Sequence, residues 1–174
     1  MDQKLIYHPD KNVKLIHFNE DRVNLHLASV LLFDLLYPNR CYIPDGFYLE
    51  DFVKHFDIGI KQSPPDTYIP VTRFNTSQIV YLFDELLNNR FITQGRYWRL
   101  VADHFFDCRK MCEYNPSHLA TYSHRKKTQT NLKGHEKVDI DQFIFDLDSY
   151  DEFNLPPTEE REELVKQMKG LNRR

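Results

Sequence analysis

The chain has 174 residues, 41% hydrophobic and 14% aromatic, which is enough to bury a core without staples and too aromatic for a disordered segment. Three cysteines argue against a secreted disulfide framework. No stretch approaches the roughly 18 uninterrupted apolar residues of a membrane span, and the amino terminus MDQKLIYHPD lacks a signal-peptide core, so the expected compartment is the cytoplasm. The formal net charge of −3 is unevenly spread. Residues 1–89 carry 8 Lys and Arg against 12 Asp and Glu, residues 90–137 carry 10 against 4, and residues 138–174 carry 5 against 10. A cationic middle third therefore lies between two acidic flanks.

The first predicted element is a helix in DRVNLHLASVLLFDLLYPNR. Asp21 is its expected cap and Pro38 its stop, and Val23, Leu27, Val30, Leu31 and Leu35 hold helical spacing. Leu25, Leu32, Phe33 and Leu36 widen that stripe, which marks a helix central to the core. A shorter helix is predicted over 48–56. Pro64, Pro65 and Pro70 make 57–74 a connector whose YIPV is expected to pair with CYIP at 41–44 as two short strands.

The clearest helix covers 75–89. Asn75 or Thr76 caps it, Gln78 completes a capping box, and Ile79, Leu82, Phe83, Leu86 and Leu87 form one face. The turn TQG leads to a helix at 97–106 with Trp98, Val101 and Phe105 on one side. CRKMCEYNP reads as a turn or short connector, after which Pro116 and Ser117 open a helix in SHLATYSHRKK. Gly134 breaks it, and VDIDQFIFDLDSY returns to the core through Ile140, Phe143, Ile144 and Leu147, with Asp139 as the expected cap. Beyond LPP, TEEREELVKQMKG presents Leu164, Val165, Met168 and Leu171 on one narrow face that suits a partner helix or its own copy. The predicted fold is mainly α: a multi-helix domain with a helix-turn-helix or winged-helix-like core and one small two-stranded β element. Its parts are an amino-terminal helical lobe at 1–74, a DNA-binding region at 75–155 and a carboxyl-terminal helix at 156–174.

The pattern that carries function is three helices in a row, the last poor in core residues and rich in Ser, Thr, His, Arg and Lys. A helix-turn-helix needs such a unit, because its last helix must keep one face free for a groove. Leu119, Ala120 and Tyr122 are its expected inward residues, while Ser117, His118, Thr121 and Arg125 line the outer face with His124 beside them. Lys126, Lys127 and Lys133 follow near the carboxyl end, where a basic tail meets phosphates. Arginine can bond a guanine edge through two donors, hydroxyls serve bases or phosphates, and lysines attract any sequence. The competing reading is a solvated helix end, since cations suit a helix carboxyl terminus in any case. The roughly ten residues between the second and third helices exceed the tight turn of the simplest helix-turn-helix.

His104, Cys108, Cys112 and His118 form a concentrated set of metal-type donors, but their spacing differs from that of common zinc knuckles, and packing explains the thiols better. No Gly-rich phosphate loop, GxSxG or HExxH is present, so neither a catalytic role nor a cofactor is expected. The expected partners are duplex DNA and a second copy of the chain, without a membrane.

The runs TSQIVYLFDELLNNRFI, YWRLVADHFF, SHLATYSHRKK and KGHEKVDIDQFIFDL resemble the carboxyl-terminal region of the RteC family over 75–147. These are regulators carried by conjugative elements, with a winged-helix or helix-turn-helix domain that binds DNA ahead of excision genes. The resemblance implies that 117–127 is the recognition helix and that LKGHEK is a wing or phosphate-facing loop. It implies no catalytic residue.

Overall fold

The computed structural model of the chain describes residues 13–93, 95, 97–126, 134–149 and 166, with 124–126 described by backbone alone. It is mainly helical with a small three-stranded sheet. Helix α1 (Leu25–Leu36) is buried on nearly all sides. Its cap is Asn24, whose Oδ1 accepts from the Leu27 N–H at 3.1 Å, rather than the expected Asp21. Asp21 belongs to the preceding turn, where its N–H donates to Asn19 Oδ1 at 3.1 Å. Pro38 opens a short 3-10 turn, Pro38–Arg40, and the helix goes no further.

Helix α2 (Leu49–Val53) is shorter than the predicted span; beyond it the chain turns at Lys54 and His55 and reaches Phe56, which bridges in parallel to Ile16. The expected pairing of 41–44 with 68–71 does not form. Asn39, Arg40 and Tyr42 all have positive φ, which takes this segment out of the extended region a strand requires. Just beyond the second segment, Thr72 Oγ1 donates to the Tyr42 carbonyl oxygen at 2.6 Å. Strand β1 (Ile69–Val71) is real, but its partner lies further along the chain.

Helix α3 (Thr76–Asn88) starts as predicted. Asn75 Oδ1 accepts from the Gln78 N–H and Gln78 Oε1 accepts from the Asn75 N–H, both at 2.9 Å. Helix α4 (Tyr97–His104) stops two residues short of the predicted end, because Phe105 and Phe106 run on into strand β2 (Phe105–Asp107). Strand β3 (Cys112–Glu113) turns back on it, so the connector is a hairpin. The sheet order is β1-β2-β3, with β1 parallel and β3 antiparallel to β2. Pro70 has no N–H to give to a ladder, and an edge position is where a sheet tolerates that.

Helix α5 (Pro116–Lys126) packs on α3 and α4, and helix α6 (His135–Ser149) on α1 and α3. Helix α6 starts at His135, after Gly134 at φ 118, so Asp139 is inside it rather than at its cap and forms an ion pair with Arg73. Its inner face is as predicted, with Ile140, Phe143 and Leu147 buried and Ile144 packed beside them. One hydrophobic core runs from Ile16 to Leu147, crossing the sequence boundary at 74 and 75, and β1 joins the two parts through β2. The carboxyl-terminal helix predicted at 158–170 lies outside the described residues apart from a helical Lys166. No helix among the described residues is long and apolar enough to cross a membrane.

Candidate nucleic-acid interface

The third helix of the unit, α5, is fixed from below. Asn115 Oδ1 accepts from the N–H of Ser117 at 2.9 Å and of His118 at 3.4 Å, which caps the helix, and Pro116 occupies the first helical position, where an N–H is dispensable. Leu119 is 1% exposed and Tyr122 packs against the core. Ser123 Oγ donates to Asp84 Oδ1 on α3 at 3.1 Å. The Tyr97 hydroxyl of α4 lies buried in the same corner, and its acidity is suppressed by burial first and by the Asp84 carboxylate second. Three helices therefore converge on Asp84.

The opposite side of α5 is open. Ser117, His118 and Thr121 are exposed. Thr121 Oγ1 donates back to the Ser117 carbonyl at 2.9 Å, which leaves its oxygen lone pairs able to accept. At 3.6 residues per turn, Ser117, His118, Thr121, His124 and Arg125 fall within an arc of roughly 120° on this outer side. By backbone position Lys126 does not join them, because it lies three and seven residues beyond the inward-facing Ser123 and Leu119. Lys127 and Lys133 lie outside the described residues.

The hairpin between α4 and α5, where a turn or short connector is expected, adds a cationic tip. Asp107 Oδ1 accepts from the N–H of Arg109 at 3.0 Å and of Lys110 at 3.1 Å, and Met111 closes the turn at φ 53. Arg109 and Lys110 are exposed there, one short strand before the α5 cap. The signal for them was the local surplus of positive charge. The hairpin also means that α4 and α5 are joined by residues 105–115, not by the short turn of a simple helix-turn-helix. Of LKGHEK, His135 to Lys137 form the first turn of α6 rather than a loop.

The four candidate zinc donors are not brought together. His104 is fully buried with both ring nitrogens engaged, Cys108 is half-buried in the hairpin turn, and Cys112 and His118 are exposed on β3 and α5. Among the described residues no group of three or more His, Cys, Asp or Glu side chains is placed to hold a metal ion. The partner of His104 is His55, with the two Nδ1 atoms 2.9 Å apart. Burial pushes both imidazoles well below the ordinary histidine value of 6.5, His55 to about 3 and His104 to about 4. No protein-family model, curated protein or solved structure matches the chain.

Proposed function

We propose that the chain is a DNA-binding transcriptional regulator of a mobile element, cytoplasmic and without catalytic activity, that lays the outer face of α5 against the major groove of duplex DNA. One observation carries this reading: α5 is held by Leu119 and Ser123 while its polar outer side, Ser117, His118 and Thr121, stays exposed. A helix kept only for packing would not need that combination inside the one cationic segment of an acidic chain. Arg125 and His124 extend the reading face, and Lys127, Lys133, Arg109 and Lys110 supply phosphate contacts.

Affinity for duplex DNA measured across a salt series tests it. Four to five phosphate contacts per protomer give a slope of log affinity against log salt of about −4. A flat response, or no binding at low salt, overturns the proposal.

A second reading, a non-enzymatic interaction factor, is favoured by Val138 and Phe145 on α6, which are 63% and 59% exposed and stand seven residues apart on one side of the helix. The two readings meet if this face pairs two copies, as a regulator of a two-fold symmetric site requires. Light scattering is then expected to give twice 21.0 kDa, falling to the single-chain mass in a Val138→Asp, Phe145→Asp variant. A native chain that runs as a monomer removes the homodimer from the proposal.

A further inference from the structure

The contact between His55 and His104 does not balance as a pair of neutral rings. His55 Nε2 lies 2.7 Å from the Thr67 carbonyl oxygen, and His104 Nε2 lies 2.8 Å from that of Lys14. Carbonyl oxygens only accept, so each Nε2 carries a proton. A neutral imidazole holds one proton, and both Nδ1 atoms are therefore left as lone-pair acceptors, yet they face each other at 2.9 Å. At that separation two lone pairs repel, whereas an added proton between them makes an N–H···N hydrogen bond of ordinary length. A tetrahedral zinc ion does not fit this gap, since bonds of about 2.0 Å to each nitrogen hold the two atoms about 3.3 Å apart.

We propose that His55 and His104 form a proton-operated clamp that takes up one proton for the two rings, shared between their Nδ1 atoms. The clamp joins separate parts of the chain. His55 follows α2, Thr67 precedes β1, Lys14 belongs to the segment that bridges to Phe56, and His104 ends α4, on which α5 rests. The shared proton is the third of three, and its arrival completes the third hydrogen bond.

The surroundings set when this happens. Burial opposes the charge on both rings. Beside His55, the Lys54 cation opposes it further and is itself held near Asp66 at 3.8 Å and Asp51 at 4.0 Å. On the neighbouring bridged segment His17 faces Asp57 at 3.6 Å, and on α4 the Asp103 carboxylate acts on Tyr68, which is itself hydrogen-bonded to Glu113. The proton therefore enters below the ordinary histidine range, and the second one, which would put two like charges at contact, is kept out.

Imidazole 15N NMR of the full native chain, from about pH 7.5 down to about pH 2.5, tests this, because it passes both the ordinary histidine range and the lower range where the buried pair takes its proton. The expected result is that His55 and His104 shift together with a common midpoint, take up one proton in total, keep both Nε2–H groups throughout, and show scalar coupling between the two Nδ1 atoms on the acid side. Separate midpoints with two protons taken up overturn the proposal, and so does a neutral Nδ1–H tautomer on either ring. No substitution is needed, so the native contacts of both rings are intact at the start of the titration.

Discussion

Replacing Arg125, Lys126 and Lys127 together by Glu lowers affinity for duplex DNA by about 100-fold at 0.15 M salt and makes the salt slope shallower by about 1. The size follows from the two contacts removed, since the phosphate contact of Lys127 contributes about 0.7 of a decade at that ionic strength and the base contact of Arg125 about 1–3 kcal/mol, before any repulsion is added. The fold is expected to survive. Leu119, Tyr122, Ser123 and the Asn115 cap hold α5, and none of these is changed. Anions at a helix carboxyl terminus cost only about 0.3–1 kcal/mol each. Circular dichroism should therefore keep its helical signal while binding, followed by fluorescence anisotropy, is lost. The single variants should rank. Arg125→Glu is expected to have the largest effect, because Arg125 shares the outer arc with His118 and Thr121, and Lys126→Glu the smallest, because its backbone position falls toward the packed side. Equal binding by native and triple variant at low salt would leave α5 as a solvated helix.

Stability is expected to fall by about 3 kcal/mol as pH drops from 6.5 to 5, through the two buried histidines alone. In the unfolded chain both rings take up protons near their ordinary value of 6.5, whereas burial keeps them neutral in the native state until about pH 3 to 4. The unfolded state thus binds more protons in this window, so the contribution is complete above pH 6.5 and is lost as pH falls. Below about pH 4 the native pair takes its own shared proton, and the slope contributed by the histidines halves. Urea unfolding at a series of pH values measures this, with a His55→Gln, His104→Gln variant as the comparison that removes the two rings but leaves every carboxylate. Parallel curves for the two chains would show that the histidines are not the source.

The helices were readable from the sequence because their determinants are local. Asn75 and Gln78 stand three residues apart, and the apolar stripe of α3 repeats within one helix. Leu119 likewise announced the inner side of α5. Capping at α1 was misplaced because Asp21 and Asn24 are both competent caps in sequence, and only the chain path shows that Asp21 is used in a turn. The partner of β1 was not readable. Its strand is three residues long, too short for an alternation signal, and its mate lies beyond two helices. The hairpin was hidden for the same reason, since β3 has two residues and both are exposed. The meeting of His55 with His104 spans 49 positions, and no local pattern encodes it.

The parallel register of Ile69 with Phe105 has a consequence for the order in which the chain can fold. A strand cannot pair in parallel with one that has not yet been made, and here α3 and α4 must lie between the two. During synthesis the amino-terminal part therefore emerges with β1 unpaired, and Ile69 and Val71, nearly inaccessible in the finished molecule, wait for Asp107 to leave the ribosome. A nascent chain halted before that residue exposes these apolar groups and is a substrate for chaperones. Completion of β2 then covers β1, and α5 and α6, made later still, close the core with Leu119, Ile140, Phe143 and Leu147.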